Sequence, residues 1–257
     1  MTNSEIQSIA RRQSALEAGC RPEDFDGREN VSAVAGAPSG ARRYLELPLF
    51  CNLVSYGSNI VVSAREDFLP LARAYADRWG VAGAFSTPAI HRLEALTEER
   101  GHRICFMAEY FLPDVERLAP LPCRYPVRLL EPEQFQELYV PAWSNALCEK
   151  RRELDVLAAA ALDRGRLVGL AGCSADCGAM WQIGIDVLPE YRRQGIASAL
   201  TSRLALEILR RGKAPFYCAA WSNLRSVRNA VRSGFRPAWV ELTAKSAAFV
   251  AQMNGEK

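Results

Sequence analysis

The residues best placed to do chemistry lie in DVLPEYRRQGIASALTSRLA, Asp186 to Ala205. A short apolar run, Ile183 to Leu188, stops at Pro189; two arginines and a glycine then precede a helical pattern. Ile196, Leu200, Leu204 and Ile208 recur every fourth residue, so one stripe of that helix faces a sheet. The first N–H groups of a helix lack intrahelical partners, and the macrodipole adds about half a positive charge there. Gly195 and Ala197 keep bulk away from those donors, and Arg192 and Arg193 add charge at the rim. The chemistry predicted is the holding of an anion, above all a phosphate, mainly by backbone. Taken alone the pattern is short enough to arise by chance, with Gly195 a helix-entry glycine and the arginines solvated.

A second pattern follows it. WSNLRSVRNAVRSGF places Asn223 after a strand, Ser226 three residues on, and Gly234-Phe235 at the close of the next helix. RRQGIA after IGIDVLPEY, followed by these landmarks, resembles the GNAT superfamily of acyl-CoA N-acyltransferases over residues 124–246. MAEYFLPD and WSNALCEKRRELD are similar to a GNAT subfamily with an extra N-terminal half. The resemblance implies acetyl-CoA as acyl donor and an amine-bearing acceptor. The backbone of Ile185 and Val187 would bind the pantetheine arm. The N–H groups of Arg193, Gln194, Gly195, Ile196 and Ala197 would take the pyrophosphate, with Arg192 at its edge. Asn223 and Ser226 would contact the pantetheine or its phosphate from across a split between two strands. Arg225, Arg228 and Arg232, clustered on one helix face, could meet the ribose phosphate, with a solvated surface the competing reading for at least two of them.

Acyl transfer to an amine needs a path for the amine proton, a donor for the oxyanion and an acid for the departing thiolate. The family often places a glutamate in the strand before the turn, and here that region reads Trp181-Gln182. It often places a tyrosine seven residues after the asparagine, and here that position is Ala230. The substitutes at hand are Asp176 and Asp186 flanking the strand, Tyr217 on the strand after the long helix, and Glu149 and Glu153 before the sheet. For each carboxylate a surface or ion-paired role competes with catalysis. The Val187 N–H would serve as oxyanion donor. The reading is an N-acetyltransferase acting on a primary amine by direct attack; the rival is a non-catalytic acyl-CoA sensor that kept the cleft. A hydrolase would need a histidine base, and His91 and His102 stand in no motif.

The whole chain fits this frame. Its 257 residues suffice for one large or two small domains, 49% hydrophobic and 24% charged, with a net charge of +3. That charge is too small to argue for a nucleic-acid partner, and no apolar run reaches the ~18 residues of a membrane span. MTNSEIQSIARRQSALEAG reads as an amphipathic helix without the apolar core of a signal peptide. Eight scattered cysteines, several inside apolar runs, suit reduced thiols in the cytoplasm. Cys173 and Cys177 form the one close pair, with no second pair to complete a zinc site, so no metal is expected. The chain is expected to act alone or as a homodimer.

Pro113, Pro120, Pro122 and Pro126 set a boundary near residue 122. Residues 1–122 read as a smaller mixed α/β domain, a degenerate GNAT-like or acceptor-forming half. ARRYLELPLFCNLV and SNIVVSA are its strands, REDFLPLARAYADRWG a helix stopped at Gly80, and a second helix runs from Thr87 to Gly101 before the strand RICFMAEYFL. Within it Glu109, a carboxylate in an apolar run, is edge-exposed or paired. Residues 123–257 read as α/β (α+β), a mixed sheet flanked by helices. EPEQFQELYVPAW and NALCEKRREL are helical pieces there. DVLAAAALD and RLVGLAGCSA form a hairpin bent at Arg164-Gly165, followed by the strand MWQIGIDV, the long helix, APFYCAAW, a helix from Asn223 to Ser233, and a last strand RPAWVELTAKS.

Overall fold

Ala158 to Ala161 would suit a helix by propensity, yet all four are strand residues and fully buried. Layers on both faces of the sheet explain the choice. Ala159 and Ala161 join one core cluster and Ala158 and Ala160 another, so each face receives only methyl groups. In the computed structural model, which describes residues 1–256, the elements in chain order are α1 (Asn3–Ala18), β1 (Val31–Val34), β2 (Cys51–Ser55), β3 (Val61–Ala64), α2 (Leu69–Ala84), α3 (Thr87–Glu98), β4 (His102–Pro113), β5 (Val127–Leu130), β6 (Asp155–Asp163), β7 (Arg166–Ser174), β8 (Met180–Val187), α4 (Ile196–Arg210), β9 (Ala214–Ala220), α5 (Leu224–Arg232), β10 (Phe235–Ser246) and α6 (Ala247–Asn254).

These elements form two units: Met1–Ile9 with Tyr110–Pro237, and Ala10–Glu109 with the residues from Ala238 onward. The division differs from one at residue 122. Phe111 and Leu118 are core residues of the first unit, and a Cβ on Gly234 would lie 2.9 Å from the Leu118 Cα. The prolines break helices there, but the segment between them still packs.

In the first unit the strands run β9-β8-β7-β6-β5. β5, β6, β7 and β8 pair antiparallel in turn, and β8 pairs parallel with β9. The bend between β6 and β7 falls at Arg164 and Gly165, both at positive φ, as a tight hairpin turn requires. α4 covers one face with Ile196, Leu200, Leu204 and Ile208, all buried. The other face is covered without an α-helix. The expected helical pieces between residues 131 and 154 are 3₁₀ turns at Pro132–Gln134, Gln136–Leu138, Pro141–Trp143 and Glu149–Leu154. Pro132 and Pro141 break the run, and Phe135, Trp143 and Leu147 plug into the sheet from separate turns.

This segment crosses the sheet at a pair of glycines. Gly172 and Gly184 are cross-strand partners. A Cβ on Gly184 would lie 1.8 Å from the Asn145 carbonyl oxygen, and one on Gly172 2.0 Å from that of Ala146. Backbone therefore rests directly on backbone. Gly184→Ala is expected to cost about 3 kcal/mol or more, since main chain and not a flexible side chain must move. Thermal denaturation beside Gly178→Ala, where an added Cβ meets nothing within 4 Å, checks this; equal melting of the two variants refutes it.

At the end of the same segment Asp155 is buried and accepts from the Cys148 N–H (2.7 Å) and the Tyr139 hydroxyl (3.2 Å). Burial outweighs these bonds and pushes its carboxyl up to about 6. A carboxyl raised by folding adds stability below its unfolded value of 3.8 and loses it as pH climbs through about 6. The melting temperature of Asp155→Asn relative to the wild type should therefore rise between about pH 4 and about pH 7. Calorimetry across that range would show a flat difference if the carboxyl were unperturbed.

In the second unit the order is β1-β3-β2-β10-β4, with β1 parallel to β3 and both β3 and β10 antiparallel to β2. α2 and α3 pack on it through Phe68, Ala72, Ala89 and Leu93. Arg42, 3% exposed, joins Glu17 (2.6 Å) and Glu241 (2.7 Å), and the Trp239 indole N–H also donates to Glu241 (2.8 Å). Strand is limited to Cys51–Ser55 in ARRYLELPLFCNLV, with a 3₁₀ turn at Arg43–Leu45 before Pro48. Gly80, expected to stop α2, kinks it at φ 55° and ψ −175°, and helix resumes to Ala84. β1 and α6 were not expected.

Candidate functional site

β8 and β9 pair only at their beginnings, Met180–Gln182 against Ala214–Phe216. Beyond this the strands part, while β8 stays paired to β7 as far as Val187. The Leu188 N–H donates to the Val168 carbonyl of β7 (3.0 Å). Antiparallel alternation then turns the backbone groups of Ile185 and Val187 the other way, into the split. The peptide edge of β8 is thus open to an extended ligand at Ile185 and at the Val187 N–H, while the Val187 carbonyl accepts from Arg192.

The split leads to the turn before α4. Arg193 (φ 64°) and Gly195 (φ 80°, ψ 0°) are left-handed, and Gly195 is the N-cap. A Cβ added at Gly195 meets nothing within 4 Å. Among the described residues, the backbone N–H groups from Arg193 to Ser198 have no acceptor, the first helical bond being Ala199 N–H to the Gly195 carbonyl (3.1 Å). Side chains pin the turn. The Tyr191 hydroxyl donates to Asp163 (2.9 Å), the Tyr125 hydroxyl to Gln194 Oε1 (2.9 Å), and Arg192 Nε to the Val187 carbonyl (3.1 Å). The helix start is set close to the sheet because β7 has a glycine beneath it: a Cβ on Gly169 would lie 2.7 Å from Ile196 Cγ2. The result is a concave run of N–H donors at a helix N-terminus, suited to a phosphate.

Across the split, Asn223 caps α5 by accepting from the Ser226 N–H (3.2 Å), and the Ser226 hydroxyl lies 2.8 Å from the Tyr217 hydroxyl. Asn229 joins α5 to α4 through Thr201 Oγ1 (3.0 Å). Burial raises the Tyr217 phenol above its ordinary value, and hydrogen bonds to Ser226 and Asn229 only partly oppose it. Asn223, Ser226 and Tyr217, chosen separately from the sequence, form one group. Ala230, where the family often has tyrosine, is fully buried in the same core cluster as Tyr217 and Phe235.

The two aspartates are otherwise engaged. Asp186 accepts from the Asn145 N–H (2.8 Å), the Asn145 side-chain amide (2.7 Å) and the Ala146 N–H (3.0 Å), fastening the segment that crosses Gly184. Asp176, 3% exposed, accepts from the Ser174 hydroxyl (2.7 Å) and faces Arg151 (3.2 Å). Glu149 is exposed and paired with Arg152 (2.7 Å). Gln182 donates to Cys218 Sγ (3.1 Å), just where the strands part. Cys173 and Cys177 are buried thiols, and Cys177 Sγ donates to the Met180 carbonyl (3.5 Å). Sequence reasoning missed Asn145, Tyr125 and Cys218; the glycines in GLAGCS and IGID, interior to strands, were the available signal for the first.

Free N–H groups at a helix start, at the end of a parted β-strand pair, have the geometry of an anion site. Residues 112–238 match the family model of the GNAT acetyltransferases, and this chain carries a domain of that family. The family supports acyl transfer from an acyl-CoA donor. A tandem GNAT protein from the clavulanic acid biosynthesis pathway is similar over 96% of this chain and 97% of its own, at 13% identity and TM-score 0.50. This likeness gives the fold of both units. A GCN5-related N-acetyltransferase-like protein from Streptococcus suis 89/1591 is 25% identical over 59% of this chain and 67% of its own (TM-score 0.44). A GCN5-related N-acetyltransferase from Kribbella flavida is 18% identical over 60% and 63% (TM-score 0.46). The match thus spans about two thirds of each of these two proteins. No curated protein matches the chain. No helix of the described residues is long and apolar enough to cross a membrane.

Proposed function

We propose that this protein transfers an acetyl group from acetyl-CoA to a primary amine by direct attack. The observation that carries the reading is the continuity of the β8–β9 split with the free N–H groups before α4. The peptide groups of Ile185 and Val187 bind the pantetheine arm as an added strand would. The N–H groups of Arg193, Gln194, Gly195, Ile196 and Ala197 take the pyrophosphate, with Arg192 beside it, and Asn223 and Ser226 line the far wall.

In the reaction the amine nitrogen bonds to the thioester carbonyl carbon, the Val187 N–H stabilises the oxyanion, and the C–S bond breaks. Tyr217 gives its proton to the thiolate and regains one from solvent through the Ser226 hydroxyl. The amine proton leaves to water, because the hydrogen bonds on Asp186 and Asp176 commit both carboxylates to structure. Turnover therefore climbs with pH as the neutral amine fraction grows. Asp186→Asn and Asp176→Asn should each keep turnover within about tenfold, since loss of a true general base costs about 10²–10⁴-fold.

Acetyl-CoA should raise the melting temperature in proportion to the logarithm of its concentration, by about 2.7 kcal/mol of stability at a hundredfold excess over Kd. A screen of amines monitored for free thiol then identifies the acceptor class. No thermal shift at millimolar acetyl-CoA overturns the donor assignment. The amide Gln182, in the region where the family often has a base, favours a second reading as an acyl-CoA sensor; binding without turnover of any amine selects it.

A further inference from the structure

The outer face of α5 has a composition that one ribose phosphate does not account for. Leu224, Arg225, Arg228, Val231 and Arg232 recur on it at helical spacing and are all exposed, with Trp221 just ahead of the helix. Trp221, Leu224 and Val231 keep 50%, 56% and 54% of their surface, among the largest exposures of any big apolar side chains here. At the C-terminal end of the helix, Arg117 and Arg236 join Arg232 around a surface cavity shared with Asp114. Among the described residues none of these five guanidiniums is ion-paired. Asp114, the acid in their midst, is held below the usual carboxylate range by the Asn3 amide first, and by Arg236 and Arg117 only as more distant charges.

Such a face, arginine-rich with half-exposed apolar anchors and more guanidiniums than the single Asp114 among them offsets, is the composition of a protein interface and the complement of an acidic one. It extends roughly 13 Å along the helix, at 1.5 Å per residue, and carries more positive charge than the one ribose phosphate of free CoA would neutralise. It also adjoins the donor site, because Asn223 and Ser226 of the same helix line the split.

We propose that α5 docks an acidic carrier protein that bears its acyl group on a phosphopantetheine arm, the arm entering the β8–β9 split. This rests on the acyl-transfer reading of the split and specifies the donor. A carrier-borne arm has the same thioester and a single phosphate, which the N–H groups before α4 receive. The apolar trio packs against the carrier's helices, and the arginines meet its carboxylates.

The test is binding of an acetylated, phosphopantetheine-loaded acyl carrier protein, measured by fluorescence anisotropy beside acetyl-CoA, with the wild type and Arg117→Glu/Arg236→Glu. The expected result is carrier binding that weakens with salt and falls at least tenfold in the variant, with acetyl-CoA affinity held within about twofold. These arginines are exposed, so charge reversal should leave the fold intact, and an unchanged melting temperature confirms it. An equal loss for acetyl-CoA would assign the arginines to the ribose phosphate and overturn the proposal. So would equal carrier affinity in both proteins, or a variant that loses binding to phosphatidylglycerol vesicles while the carrier never binds. Carrier binding without acetyl-CoA binding would uphold the docking surface and refute free acetyl-CoA as donor. Failure of both donors would remove the two proposals together.

Discussion

Gly195→Glu abolishes acetyl-CoA binding and lowers the melting temperature by only a few degrees. The left-handed φ of 80° costs a side chain about 1–2 kcal/mol, which in a unit of this size is a shift of several degrees. A Cβ there meets nothing within 4 Å, so the new side chain extends into open space over the N–H groups of Arg193 to Ser198. It brings a negative charge to the positive end of α4, where the pyrophosphate would lie. The carboxylate can also accept those N–H groups itself, which offsets part of the strain and makes the site self-blocked. Calorimetric titration with acetyl-CoA measures the effect, and Gly195→Ala separates backbone strain from charge. Wild-type affinity in the glutamate variant would place the donor elsewhere.

Tyr217→Phe should lower turnover by about 10²–10³-fold at every pH while leaving acetyl-CoA affinity near wild type, the range expected for loss of a positioned acid. The phenol is buried, which raises its pKa, and its hydroxyl lies 2.8 Å from that of Ser226. The sign of the pH effect follows from the direction of that shift. A phenol that holds its proton beyond the ordinary tyrosine range stays an acid while the amine loses its own proton, so the alkaline rise of the wild type is not cut short near pH ~10. The phenylalanine variant keeps the ring in the core and forfeits about 1 kcal/mol of hydrogen bonding, so its melting temperature checks that the fold persists. A loss of less than fivefold would take the proton-donor role from Tyr217.

Those two residues illustrate what was legible in the sequence. The cradle could be read because it is a local device: Gly195, the spacing of Ile196, Leu200, Leu204 and Ile208, and the arginines all fall in one turn and one helix. The grouping of Asn223 with Ser226 is local for the same reason. Tyr217 needed the fold, because its partner Ser226 comes from a different element. The aspartates were legible only as carboxylates near a strand. That Asp186 is spent on the Asn145 and Ala146 N–H groups depends on a contact across some forty residues of chain. The segment before β6 was misread because EPEQF and CEKRREL have helical composition, whereas their course is set by the glycine pair they cross. The division into compact units differs from a boundary near residue 122 for a related reason: prolines report local backbone freedom and say nothing of whether Leu118 finds a core.

The glycine pair has a bearing on which parts of this domain are free to vary. The donor side presents main chain to its ligand, so the side chain of Arg193 is free to vary, while Ile196 is held in the core and Gln194 is held by Tyr125. On the opposite face the sheet cannot vary at Gly172 or Gly184, because no side chain fits beneath the Asn145 and Ala146 carbonyls. Variation on that face is therefore confined to the crossing segment itself, with Asp186 obliged to stay for the Asn145 and Ala146 N–H groups. The sheet beneath is fixed by the absence of two side chains, so the two strands and the segment over them can change only together.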